Sequence, residues 1–227
     1  MKNVSYESDL TDEQWNLIEP MLPKPASTGR PRSNLRLLLN AYLYVLRTGC
    51  QWRQLLKGFP PRITANGVYV AWSRNGTLLA IQNRLRALAR EAEDWRNRPT
   101  AAVLDSQTIR SAGYASEAGY DAAKKTKGRK RFLLVDTLGY VLGVKVTPAN
   151  VTERDGGKEL LDITLPAHPW LRKIWADGGF SGEDFAAHAK SIRTTAEVEV
   201  VERDPATMGF AVLTHRWVVE RAFGWLD

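Results

Sequence analysis

The sequence predicts an α/β protein in which a mixed sheet flanked by helices follows an all-α amino-terminal region. Two observations set the class. Apolar residues recur at helical intervals before Pro99 and in strand-like runs after it. Two of those runs, Ala101 to Leu104 and Lys173 to Ala176, each end in an aspartate, Asp105 and Asp177.

The amino-terminal elements follow from turn and cap chemistry. Thr11 and Gln14 have the spacing of a capping box, and Trp15, Ile18 and Leu22 continue at helical intervals until Pro23 and Pro25. After the polar stretch Ala26 to Ser33, residues Leu35, Leu38, Leu39, Tyr42 and Leu46 mark one face of a second helix, with Gly49 as its stop. A short turn through Trp52 and Leu55 ends at Phe59-Pro60-Pro61. Thr64 is placed as the cap of a helix carrying Val68, Ala71 and Trp72. Asn75-Gly76 turns the chain into a further helix capped by Thr77, carrying Leu78, Ile81, Leu85, Leu88, Ala92 and Trp95. Short helices with tight turns and many arginines predict a helix-turn-helix-like region over residues 1–98.

Residues 99–227 read as the sheet domain. Ala101 to Thr108, Arg131 to Asp136 and Tyr140 to Thr147 are strands, the last two joined by the turn Asp136-Thr137-Leu138-Gly139. Asp155 is taken as the cap of a helix through Leu160 and Leu161. Ile174 to Asp177 is a fourth strand, Glu183 to Ser191 a helix, Val198 to Val201 a fifth strand, and Arg216 to Leu226 a closing helix. Three antiparallel strands followed by alternating helices and strands describe a layered α/β sheet.

Composition narrows the function. With 227 residues and 44% hydrophobic content, the chain can bury a sizeable core. Cys50 is the single cysteine, so no intrachain disulfide or thiolate zinc cluster forms. Met1 to Asp9 lacks a signal pattern, and the most apolar stretch, Leu37 to Leu46, is too short for a bilayer. These features predict a soluble intracellular protein of a reducing cytoplasm.

The net charge of +7 is not spread evenly: residues 1–98 hold 15 Lys and Arg against 8 Asp and Glu, and the remainder holds 17 of each. No acid occurs between Pro20 and Arg90. Such a surface attracts a phosphate backbone with salt-dependent affinity. Arg30, Arg32, Arg74, Arg84 and Arg86 are the expected contacts in this region. A second basic run, Lys124 to Arg131, contains no acid and is expected to guide DNA through Lys127, Arg129 and Lys130.

Three acids suggest divalent-metal chemistry on phosphodiesters. Asp105 and Asp177 would leave one sheet edge, and Glu220 lies three residues from both Trp217 and Phe223 on a helix read as largely buried. An isolated carboxylate there would be costly, so either a cation or an arginine, Arg216 or Arg221, must meet it. A Mg²⁺ ion shared by Asp105, Asp177 and Glu220 would meet it, since hard cations take oxygen donors. Other chemistry is poorly supported. His168, His188 and His215 lack ligand spacing, Gly179-Phe180-Ser181-Gly182 is no nucleophile elbow, and Gly156-Gly157-Lys158 lacks the rest of a phosphate-binding loop.

Several segments taken together carry a family resemblance: Leu10-Thr11-Asp12-Glu13-Gln14-Trp15, Gly29-Arg30-Pro31-Arg32, Arg47-Thr48-Gly49-Cys50-Gln51-Trp52, Val103-Leu104-Asp105-Ser106-Gln107, Lys127-Gly128-Arg129-Lys130-Arg131, Ala176-Asp177-Gly178-Gly179 and Arg216-Trp217-Val218-Val219-Glu220-Arg221. In this order they resemble bacterial insertion-sequence transposases of the IS5 kind, within the IS4-like group of DDE transposases. The resemblance implies a ribonuclease H-like catalytic domain with Asp105, Asp177 and Glu220 as its acidic triad. It also implies that Arg216 and Glu220 match the signature around the third acid. The tyrosine and lysine of that signature fall on Leu213 and Asp227, so those roles do not carry over. Family members continue past the glutamate helix, so the resemblance implies a catalytic domain incomplete at its carboxyl end.

The expected activity is cleavage of insertion-sequence ends and joining of the 3′-hydroxyl to target DNA by two-metal phosphodiester transfer. Double-stranded DNA, as terminal inverted repeats and target, is the expected partner, bound by a homodimer or larger assembly. Two alternatives stand beside it. One is a catalytically inactive, truncated transposase acting only as a sequence-specific DNA-binding protein, and the other is a nuclease for RNA hybrids or branched DNA.

Overall fold

The computed structural model describes residues 6–24, 33–111, 117–201 and 216–226. The chain forms two compact units, Met1–Leu85 and Arg86–Asp227.

The first unit is helical. Helix α1 (Asp12–Ile18) begins with the expected capping box: Gln14 N donates to Thr11 Oγ1 at 3.2 Å and Thr11 N to Gln14 Oε1 at 3.0 Å. Helix α2 (Leu35–Thr48) is capped by Asn34 and stops at Gly49, whose φ of 64° is the left-handed conformation that glycine adopts without strain. Helix α3 (Arg62–Arg74) starts directly after Pro61, earlier than the predicted cap at Thr64. Proline at the boundary explains the shift, because its fixed φ and missing N–H cost nothing where the first helical amides are unpaired. Helix α4 (Thr77–Ala92) follows after Asn75-Gly76. Ile18, Leu22, Leu39, Trp72 and Ile81 form one buried cluster, and Leu38, Ala41 and Ala65 a second.

The division at Leu85 and Arg86 falls inside α4, before the expected Pro99 boundary. The last turns of α4 are tied into the second unit: Arg86 Nη1 donates to Val141 O at 2.9 Å, and Arg90 Nη1 to Asp136 Oδ2 at 2.6 Å.

The second unit is built on a six-stranded sheet. Its strands are β1 (Ala101–Arg110), β2 (Gly119–Asp121), β3 (Thr126–Asp136), β4 (Val141–Pro148), β5 (Lys173–Ala176) and β6 (Glu197–Val200), with helices α5 (Glu153–Ala167), α6 (Glu183–Ile192) and α7 (Arg216–Leu226). β3 pairs antiparallel with β1, β2 and β4, and β5 adds parallel to β1 and then β6 to β5. The predicted mixed sheet with flanking helices is the observed one. β2 was not foreseen, and β3 begins five residues before the predicted Arg131, so Lys127, Arg129 and Lys130 lie on the strand and not on its approach. α5 is capped by Thr152, not Asp155: Asp155 N donates to Thr152 Oγ1 at 3.2 Å, and the Asp155 carboxylate accepts from that hydroxyl at 2.7 Å.

Both faces of the sheet are covered, which is why β1 and β3 read as continuous apolar runs. Ala102, Leu104, Phe132, Leu134, Ile174 and Ala176 pack against α5 and α6 residues such as Leu160, Leu161, Phe185 and Ala189. Val103, Leu133 and Val135 point the other way and pack against Val218, Val219, Ala222 and Phe223 of α7.

Candidate active site

Strand register brings the two aspartates together. Leu104 of β1 faces Ala176 of β5 in the last parallel pair, so Asp105 and Asp177 are the next residues on neighbouring strands, about 5 Å apart by strand spacing. Asp105 is two residues beyond Val103 and so lies on the face covered by α7. It is buried, with Ser106 N donating to its Oδ1 at 2.7 Å. Asp177 is half-buried and ends the strand as the cap of a single 3-10 turn, accepting from Gly179 N at 2.9 Å. Each carboxylate is thus oriented by a backbone amide.

Glu220 departs from expectation. α7 buries Val218, Val219, Ala222 and Phe223, while Glu220 is exposed and Trp217 and Trp225 are 47% and 64% exposed. A helix on a flat sheet buries one stripe, and Glu220 lies on its flank, so its charge needs no buried partner. Among the described residues, no three His, Cys, Asp or Glu side chains are gathered so that they could hold a metal ion. The carboxylate donors suit a hard divalent cation, and two of the three stand on neighbouring strand ends.

The expected DNA contacts divide. Arg74, Arg84 and Lys127 are exposed and Arg129 half-buried, while Arg30 and Arg32 lie outside the described residues. Arg216 opens α7, with its side chain also outside the description. Two of the expected contacts are corrected. Lys130 is 3% exposed; its Nζ donates to Val151 O and Glu153 Oε1, both at 2.9 Å, and stands 3.6 Å from Asp121. Strand alternation turns it to the α5 face of the sheet, opposite to Arg131. Arg86 is also buried, and loss of water holds its pKa below the ordinary arginine range, with Asp136 raising it and Arg90 lowering it further.

Asp121 shows the same competition. Burial pushes its carboxyl up, but hydrogen bonds from Thr108 and Lys124 N and the Lys130 charge outweigh this and hold it below the usual value. Arg131, read from the sequence as a member of the basic run, is buried and faces Gln107 across β3 and β1 beneath α7, a pairing the sequence reading did not foresee. Its signal was available: Gln107 shares strand parity with Asp105.

The Transposase DDE domain model matches residues 96–227, which carry all three acids. The chain belongs to the DDE transposases. A second model, for transposases of the IS4/5 family, matches residues 10–82. The chain is 31% identical over 121 residues to protein y4sN of Sinorhizobium fredii, covering 52% of this chain and 86% of that one. It is 32% identical over 119 residues to the 16.2 kDa protein of insertion element IS402 from Burkholderia cepacia, covering 48% and 78%. A piggyBac transposase synaptic complex with hairpin DNA overlays with a TM-score of 0.37 at 15% identity, over 86% of this transposase and about half, 48%, of that chain. Among the described residues of this DDE transposase, no helix is long and apolar enough to cross a membrane.

Proposed function

We propose that this DDE transposase cleaves insertion-sequence ends and joins the freed strand to target DNA, using Asp105, Asp177 and Glu220. The observation that carries the reading is the register of Leu104 with Ala176, which sets two carboxylates on adjacent strand ends under the helix that bears the third.

Asp105 and Asp177, with Glu220 from α7, would hold Mg²⁺ or Mn²⁺, which supplies positive charge for the attacking and leaving oxygens. Exposed Arg74 and Arg84 of the first unit hold phosphate backbone, and in the second unit Lys127 and Arg129 lead the strand toward the acids. Water attacks phosphorus at the element end and the P–O bond to the 3′-oxygen breaks, freeing a 3′-hydroxyl. That hydroxyl then attacks a target phosphodiester, and the displaced oxygen leaves as a new strand end. The protein acts as a homodimer or larger assembly on two element ends.

One observation favours a second reading, sequence-specific DNA binding without cutting: the stretch from Pro20 to Arg90 holds many arginines and no acid. A nicking and strand-transfer assay on DNA bearing the element's ends, with Mg²⁺ or Mn²⁺, separates the two. Under the first reading Asp105→Asn, Asp177→Asn and Glu220→Gln abolish product while retaining DNA binding. Normal cutting by any of them removes that residue from the site; binding without nicking by the wild type leaves the second reading.

A further inference from the structure

The carboxyl end of α7 lies over a side-chain pair that the proposed chemistry does not use. Arg131 on β3 is opposite Gln107 on β1, one same-face step from the Asp105 and Leu133 pair. The rungs Val103 with Val135, Asp105 with Leu133, and Gln107 with Arg131 therefore run along a single face. α7 packs Val218, Val219, Ala222 and Phe223 on the apolar part of this face, and its last turn ends at Arg131.

Arg131 is 9% exposed and its guanidinium is held from several sides. Nε donates to Gln107 Oε1 at 2.8 Å, and Nη2 donates to the same oxygen. Nη2 and Nη1 also make long, 3.4 Å contacts with the carbonyl oxygens of Phe223 and Leu226, and the group lies 5.3 Å from the centre of the Phe223 ring. Helix carbonyl oxygens have a second lone pair that a side-chain donor can take. A guanidinium is suited to them because it offers several donors in a fixed fork, keeps its charge and stacks on aromatic faces.

We propose that Arg131, braced by Gln107, is a positioning residue: by tying the 223–226 turn of α7 to β3 it fixes the height and rotation of the helix that carries Glu220 over the face that carries Asp105. This rests on the reading that the two acids serve one site. A second contact, Arg221 Nη2 to Leu138 O at 2.7 Å, holds α7 at the β3–β4 hairpin, so the helix is pinned at two places and Arg131 sets the end that Arg221 does not. Among the described residues Glu220 itself has no such tie, and its place follows from the helix.

The test uses the full chain carrying Arg131→Met, which keeps the apolar stem and removes the fork. Hydrogen exchange in peptides from 216–226 is expected to accelerate roughly tenfold while residues 132–135 stay protected. Mn²⁺ affinity, read by paramagnetic resonance without DNA, is expected to fall roughly tenfold, and binding to duplex DNA to change less than about twofold. Arg131→Lys should lie between. Unchanged exchange in α7 overturns the clamp; a loosened α7 with full Mn²⁺ affinity overturns the positioning role alone. Wild-type protein that neither binds Mn²⁺ nor cuts DNA counts against the transposition chemistry and takes the positioning role with it, while the exchange measurement still reads the clamp. Should Arg131→Met lose protection in 132–135, Gln107→Ala is the second variant. It should give the same pattern in smaller measure, and unchanged exchange and Mn²⁺ affinity in it overturn the proposal.

Discussion

Arg90 places Nη1 2.6 Å from Asp136 Oδ2, with 3% of one side chain and none of the other open to solvent. Asp136 also accepts from Leu138 N and Tyr140 N, both at 2.9 Å, and Arg90 Nε donates to Arg96 O at 2.7 Å. Removing one member strands a buried charge, so Arg90→Met or Asp136→Ala should cost about 3–5 kcal/mol of unfolding free energy. Denaturant titration checks this. The double replacement Arg90→Met with Asp136→Leu should recover part of the loss, and a strictly additive double variant would show that the pair is not coupled.

What the sequence made legible here has a physical pattern. The Thr11 capping box, the Gly49 stop and the strand-end aspartates were readable because each depends on a few neighbouring residues or on one period. Arg86, Arg90 and Lys130 were read as surface cations because their partners are distant in sequence: the first two reach Val141 and Asp136, 55 and 46 residues away. Charge runs do not reveal which members a strand turns inward. The exposure of Glu220 was missed because Trp217 and Phe223 suggested a buried stripe, whereas the sheet selects Val218, Val219, Ala222 and Phe223.

That division among the cations gives a salt-dependence prediction. Each lost phosphate contact lowers the slope of log affinity against log salt by about 0.9 on duplex DNA. Replacing exposed Arg74, Arg84 and Lys127 together by alanine should lower it by roughly 2–3, measured by fluorescence anisotropy across salt concentrations. Lys130→Ala should leave the slope unchanged and lower stability, because it strips a cation from Asp121 and Glu153. A reduced slope for Lys130→Ala would mean that the side chain reaches DNA.

Acid should weaken the second unit through His168. Burial lowers its pKa, the Arg86 charge lowers it further, and the hydrogen bond to Leu142 O only partly opposes this. A proton therefore binds the unfolded chain more readily. The contribution is present above the unfolded pKa of about 6.5 and is lost as pH falls through the lower, folded value. The slope is up to about 1.4 kcal/mol per pH unit for one proton. His168→Gln should flatten unfolding free energy against pH below about 6.5. An unchanged profile would assign the acid sensitivity elsewhere, with Asp121, whose folded pKa is lowered, contributing only below the ordinary carboxylate range.

Two helical glycines should respond to alanine with opposite signs. A Cβ on Gly156 would stand 2.1 Å from Cζ of Phe132, so α5 can approach the sheet only because that position carries no side chain. Gly67 in α3 has nothing within 4 Å of the same atom. Alanine gains about 1 kcal/mol over glycine in a helix interior, so Gly67→Ala should stabilise by roughly 0.5–1 kcal/mol. At Gly156 overpacking of about 1–3 kcal/mol or more exceeds that gain, and the net change should be destabilising. Thermal melts of both variants decide the signs. Phe132→Leu combined with Gly156→Ala should be less unstable than the sum of the two single changes, because the shorter side chain vacates the volume that the methyl needs. Additive losses would place the strain of Gly156→Ala somewhere other than the Phe132 ring.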